Sequence, residues 1–147
     1  MGGAICIIVF ATILSIVIKN KKTGILIWAN LGISTLLNQI LKYIVQRPRP
    51  TEFRIIDESG YSFPSGHSMV SAAFYGFLIY LIYKNVKNKY LKWTLITMLS
   101  ILIISIGTSR IYLGVHYTSD VLAGFLISIS YLIIFTTSIT FFEKNNI

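Results

Sequence analysis

The hydrophobic positions of this chain gather into five uncharged stretches: Gly2–Ile18, Thr23–Leu41, Ser65–Tyr83, Trp93–Ser109 and Val121–Phe142. Each is bounded by charged or turn-forming residues, and the last can start nearer Val115 if Asp120 faces the protein interior. A helix that crosses a bilayer needs about 20 apolar residues, within a range of about 17–25. The pattern therefore predicts an all-α, polytopic membrane bundle of five transmembrane helices in one domain, residues 1–147. Its connections are short: Lys19–Lys22, Gln46–Phe63, Lys84–Lys92 and Arg110–Tyr117. The first stretch lacks the basic n-region and the small-residue cleavage site of a secretory signal, so it counts as a helix.

Composition agrees. Of 147 residues 54% are hydrophobic and 12% charged, where soluble domains carry about 25% charge. A disordered tail, an ordinary cytosolic enzyme and a disulfide-stapled secreted domain are excluded, the last because Cys6 is the only cysteine. The net charge of +8 leaves open nucleic acid, anionic lipid or topology signals, and its distribution decides. Alternating helices place Lys19, Lys21, Lys22, Lys84, Lys87, Lys89, Lys92 and Lys144 on one face with only Glu143, a net of +7. Lys42, Arg47, Arg49, Arg54 and Arg110 share the other face with Glu52, Asp57, Glu58 and Asp120, a net of +1. The positive-inside rule assigns the lysine face to the cytoplasm, and nucleic acid drops out as a partner. Met1 then lies outside, and an uncharged N-terminus in that position leads us to expect a further helix upstream, with a true five-helix variant as the alternative.

Three polar groups fall at helix ends on the external face. They are Lys42 to Pro50, Pro64-Ser65-Gly66-His67, and Ser109-Arg110 with His116 and Asp120. Pro64 suits the first turn of a helix, which would leave the amides of Ser65 and Gly66 free at a terminus whose dipole attracts anions. His116 and Asp120 stand four residues apart, so the carboxylate can hold one imidazole nitrogen and leave the other nucleophilic. Lys42, Arg49 and Arg110 offer positive charge around a phosphoryl group. Arg47 and Arg54 read instead as interfacial arginines reaching for headgroups. Metal binding by His67, His116 and Asp120 is opposed by the surrounding cations, so no metal or other cofactor is expected.

Together, Lys42-x6-Arg49-Pro50, Pro64-Ser65-Gly66-His67 and Ser109-Arg110-x5-His116-x3-Asp120 resemble the three-part signature of the type 2 phosphatidic acid phosphatase (lipid phosphate phosphatase) superfamily. The resemblance implies that His116 is a nucleophile forming a phosphohistidine, that Asp120 orients it, and that His67 is the general acid. It implies phosphate binding by Lys42, Arg49, Arg110, Ser65, Gly66 and Ser109, and no metal. Members of this shape have six membrane helices, so the first is expected to be missing here. The x6 register selects Arg49 over Arg47. The expected function is hydrolysis of a lipid phosphate at the outer surface of the cytoplasmic membrane. The Ile-, Lys- and Asn-rich composition suggests a bacterial gene. Undecaprenyl diphosphate, recycled for cell-wall synthesis, is favoured as substrate, ahead of phosphatidylglycerophosphate or phosphatidic acid. A non-catalytic protein that binds or transports anionic lipid is the alternative from another class. A lipid phosphotransferase is a second enzymatic alternative. The related haloperoxidases are disfavoured by the multispanning architecture.

Overall fold

A computed structural model describes residues 2–17, 20–52 and 54–145. Five helices follow in order: α1 (Gly2–Val17), α2 (Lys21–Val45), α3 (Gly66–Asn85), α4 (Lys89–Tyr112) and α5 (Thr118–Asn145). No strand occurs among the described residues. Helices α2 to α5 are long and apolar enough to cross a membrane. The described part of α1 is 16 residues, roughly 24 Å of rise against a hydrocarbon core of about 30 Å. Ile18, the predicted end of the first stretch, and Lys19, the predicted start of the connection after it, lie outside the described residues.

Side chains at the helix starts fix where the helices begin. Asn20 accepts from the Lys22 amide at 3.0 Å, and Asn88 from the Leu91 amide at 3.1 Å. Such caps satisfy amides that have no partner inside the helix. At the other end of α2, Gln46 takes a left-handed conformation and its N–H closes on Lys42 O.

Helix α3 is the centre of the bundle, packed by α2, α4 and α5, while α1 leans on α2 and touches α3. Its buried side is made of small and hydroxylic residues, Ser68, Ser71, Ala72 and Ala73, followed by Phe74 and Phe77. Large apolar side chains of the neighbouring helices point outward, among them Leu36, Ile44, Met98, Ile104, Leu126 and Ile134. This inverts the order of a soluble protein and suits lipid, where apolar burial between helices brings no gain and close packing with hydrogen bonding holds the bundle. Ser128 Oγ donates to Met69 O at 2.7 Å, joining α5 to α3, and Asn30 Nδ2 donates to Ala73 O at 3.0 Å, joining α2 to α3. Below the polar contacts, Ile7, Ala11, Ile27, Leu31, Phe74, Phe77 and Leu78 form the apolar core.

The two ends differ. At one, Lys84 pairs with Glu143 at 2.6 Å and Lys92 lies over Tyr83. At the other, the end of α2, the start of α3 and the α4–α5 turn meet. There Ser65 N donates to Asp120 O, Asn38 Nδ2 to Pro64 O and Ile55 N to Leu113 O.

Gly124 makes the α3–α5 contact. A Cβ there would stand 3.2 Å from both Met69 N and Ser65 O, which are backbone atoms that cannot swing aside. Gly124→Ala is expected to destabilise the bundle by about 1–3 kcal/mol through this overpacking. At Gly32 a Cβ would meet nothing within 4 Å, so Gly32→Ala in the interior of α2 is expected to be neutral or to stabilise by up to about 1 kcal/mol. Thermal unfolding in detergent micelles compares the two, and equal shifts would contradict the tight α3–α5 approach.

Candidate active site

The site grows from the 46–63 connection and the ends of α3 and α5. Asp120, fully buried, cannot stay there as a charge without partners. Arg47 Nη1 meets its Oδ1 at 2.8 Å, and its Oδ2 accepts from Ser62 Oγ and from the Tyr117 amide at 3.1 Å. The Arg47 guanidinium also lies 4.1 Å from the Tyr117 ring centroid and bonds Ser119. The sequence reading of Arg47 as a headgroup-seeking arginine is therefore corrected: Asp120, at the start of α5, draws it inward. Arg54 likewise turns back, onto Pro50 O at 2.7 Å, with Asp57 3.8 Å away.

His116 is almost wholly buried beside this carboxylate. Its Nδ1 is 3.2 Å from Ser62 Oγ and 3.7 Å from Asp120 Oδ2. Ser62, which the sequence reading did not single out, thus stands between histidine and acid. The other ring nitrogen of His116, Nε2, is 3.1 Å from Arg49 Nη1. Arginine only donates, so Nε2 holds the lone pair and Nδ1 carries the hydrogen. The hydrogen-bond chain then runs from His116 Nδ1–H to Ser62 Oγ, and from Ser62 O–H to Asp120. Burial first, then the charges of Arg49 and Lys42, lower the His116 pKa to about 4, so the ring stays neutral at ordinary pH.

A cavity of about 890 Å³ is lined by His116, His67, Gly66, Arg49, Lys42 and Glu58, and by apolar residues of α1 and α2. The structure thus brings both histidines and two of the predicted cations together. Lys42 Nζ donates to Tyr61 O. Arg49 contacts Glu58 at 2.8 Å and Val115 O at 3.1 Å. Glu58 was counted in the sequence only as an acid in the loop, yet it lies 3.8 Å from His67 Nδ1 and from His116 Nε2. Burial works to raise its pKa, but Arg49, His67, His116 and Arg110 outweigh it, leaving a net lowering.

Four predicted residues are placed differently. Pro64 precedes the helix instead of starting it, and Ser65 is the N-cap, its Oγ accepting from the Ser68 amide at 3.4 Å. The Ser65 N–H is taken by Asp120 O, so the open amides of the α3 terminus are those of Gly66 and His67. Ser109 and Arg110 are absent from the cavity wall. Ser109 Oγ donates to Ile106 O at 2.7 Å and accepts from Arg110 Nε, while Arg110 acts on Glu58 through its charge. Asn38, another residue the sequence reading passed over, is four positions from Lys42 and so on its helix face. It holds Pro64 O at 3.3 Å and keeps the α3 terminus in place.

One end of this membrane bundle thus gathers two histidines, one of them linked through Ser62 to a buried carboxylate, with a lysine and an arginine around the same cavity. A family model of the PAP2 superfamily matches residues 4–144, and the chain belongs to that superfamily. Phosphatidylglycerophosphatase B of Bacillus subtilis (strain 168) is 39% identical over 108 residues, 71% of this chain and 53% of that protein. The chain therefore spans about half the length of that relative. The crystal structure of a transmembrane PAP2 type phosphatidylglycerolphosphate phosphatase from Bacillus subtilis superposes with a TM-score of 0.77. It is 33% identical, and the match covers 95% of this chain and 68% of the other.

Arg47→Met strips a fully buried carboxylate of its cation. With the arginine itself 36% exposed, a loss of about 1–3 kcal/mol is expected, at or below the range for breaking a buried pair. Arg54→Met, whose partner Asp57 is solvated, is expected to stay within about 0.5 kcal/mol of the parent. Unfolding in detergent separates them, and an Arg47 variant as stable as the Arg54 variant would contradict the Asp120 anchor.

Proposed function

We propose that the chain is a metal-independent phosphatase of membrane lipid phosphates. The observation that carries the reading is His116, buried and neutral, in the wall of a cavity that it shares with His67, Lys42, Arg49 and Gly66, its Nε2 lone pair held by Arg49. Nε2 attacks phosphorus, forming the N–P bond as the bond to the leaving oxygen breaks. His67 gives that oxygen its proton. Water, deprotonated by His67, then cleaves the N–P bond and frees phosphate. Positive charge that develops on the imidazole during attack is shared through Ser62 with Asp120. Phosphoryl transfer asks chiefly for positioning and charge stabilisation, which the cations and the two α3 amides supply. The apolar stretch of the cavity, between Ile7 and Ile8 of α1 and Trp28, Leu31 and Leu36 of α2, suits a lipid tail.

Phosphatidylglycerophosphate is the substrate that the Bacillus subtilis comparisons support, since the curated protein and the solved structure are both named for it. Undecaprenyl diphosphate, the preference from sequence, rests on the proposed outward-facing site alone. That orientation is supported by the lysines gathered at the end of the bundle opposite the site. No observation favours the binding-protein or phosphotransferase readings.

The test is phosphate release by purified protein from a panel of phosphatidylglycerophosphate, phosphatidic acid and undecaprenyl diphosphate, with EDTA present. Turnover is expected on phosphatidylglycerophosphate, with His116→Ala lowering it by about 10³-fold or more. Activity that needs added divalent metal, or that survives in His116→Ala, would contradict the mechanism.

The pH dependence follows from the same site. A protonated Nε2 cannot attack, so the His116 acid limb of kcat/KM falls near pH 4, where its pKa lies. Removing a cation that holds this pKa down, as in Lys42→Met, is expected to move the limb upward. A limb near the ordinary histidine value, unmoved in Lys42→Met, would place the nucleophile elsewhere.

A further inference from the structure

The cations assigned to phosphate are already occupied. A guanidinium has five N–H donors. In Arg49, Nε donates to Gly60 O at 3.1 Å and Nη2 to Ser59 O at 3.1 Å. The two hydrogens of Nη1 serve Glu58, Val115 O and His116 Nε2. Lys42 Nζ is held by Tyr61 O. One short segment, Glu58 to Tyr61, therefore covers both cations. Its flanks are tied down, Ile55 N to Leu113 O at 3.1 Å and Ser62 N to Arg47 O at 2.8 Å, and Gly60 within it takes a positive φ of 79°.

Of the groups on this segment only the Glu58 carboxylate is charged. It lies 2.8 Å from Arg49 and 3.8 Å from each histidine, one oxygen toward His116 and the other toward His67. A phosphoryl group poised between nucleophile and general acid must occupy that same place. Two anions cannot share it, because like charges at such separation repel strongly in a partly buried site.

We propose that Glu58 is a charge filter, its carboxylate seated where the substrate phosphate binds, so that only a phosphoryl group carrying more than one negative charge displaces it. This rests on the reading of the site as phosphate-binding and extends it to substrate selection. A terminal phosphomonoester carries a charge of about −1.5 to −2 near neutral pH and gains on exchange with a carboxylate of charge −1. A phosphodiester, with a single charge, gains nothing. The diester headgroups that crowd a phospholipid membrane are thereby kept out of the site, and so is the diester product when phosphatidylglycerophosphate is the substrate. The filter is a threshold rather than a change in preference, since removing the carboxylate tightens binding of both kinds of anion.

The test is calorimetric titration of the full chain in detergent with inorganic phosphate and with dimethyl phosphate, a soluble singly charged diester. The parent protein is expected to bind phosphate and not dimethyl phosphate. Glu58→Gln is expected to bind phosphate about tenfold tighter, having lost the competing charge-assisted bond to Arg49, and to bind dimethyl phosphate measurably. Glu58→Asp keeps the charge but withdraws it by one methylene, and a tightening of several-fold there supports the same conclusion if Glu58→Gln does not fold. Unchanged or weaker phosphate binding in both variants, with the parent binding phosphate, would overturn the filter alone. Absence of phosphate binding in parent and variants alike would overturn the phosphate-site reading and the filter with it.

Discussion

A carboxylate with no access to water must be neutralised by the protein around it, and the need to neutralise Asp120 organises this end of the bundle. Its side chain gathers Arg47 from the exit of α2, Ser62 from the long connection and the Tyr117 amide from the turn before α5. Its main-chain carbonyl takes the Ser65 amide at the start of α3. The exit of α2 and the junction between the long connection and α3, both more than 50 residues away in sequence, are thus fixed against one residue. Such a buried hub adds little net stability by itself, because desolvation offsets attraction. What it supplies is register: with the partners in place, His116 presents one nitrogen to Ser62 and the other to Arg49.

The helices deliver those segments for a reason that lies deeper in the bundle. In lipid the helices are held by fit and hydrogen bonding, and α3 offers the narrow face that makes a fit close. Gly124 lets α5 approach the α3 backbone, Ser128 hydrogen-bonds Met69 O, and Asn30 and Asn38 reach α3 from α2. These contacts run from the middle of the bundle to the end that holds the candidate site, so the site is an extension of the packing. The Glu58–Tyr61 segment closes over that end through its bonds to Lys42 and Arg49.

Much of this was legible in the sequence, and the exceptions share a cause. Uncharged runs between charged residues locate α2 to α5 because a membrane-spanning helix is read from composition along the chain. Their ends extend past the charges that seemed to bound them. α2 continues beyond Lys42, whose ammonium finds Tyr61 O, and α5 begins before Asp120, whose charge Arg47 meets. Residue type and spacing point to Lys42, Arg49, Gly66, His67 and His116, which line the cavity, and to Asp120, which Ser62 links to His116. They do not point to Arg47, Glu58 and Ser62: like Arg49 these lie in the 46–63 connection, which has no periodicity to reveal where it folds back, but no motif spacing marks them as it marks Arg49. The roles of Pro64 and Ser65 were exchanged for the same kind of reason: the helix starts where Ser65 can cap it, which only the Ser68 amide reveals.

The most direct measurement is of the covalent intermediate. Turnover of a lipid substrate labelled at its terminal phosphorus, quenched in alkali and digested, is predicted to leave label on the peptide containing His116. That label is expected to be stable to base and lost in acid, as a phosphoramidate is. A fully active preparation that carries no label, or carries it on His67, would contradict the account of the site as a buried imidazole held by Ser62 and Asp120 for attack on phosphorus.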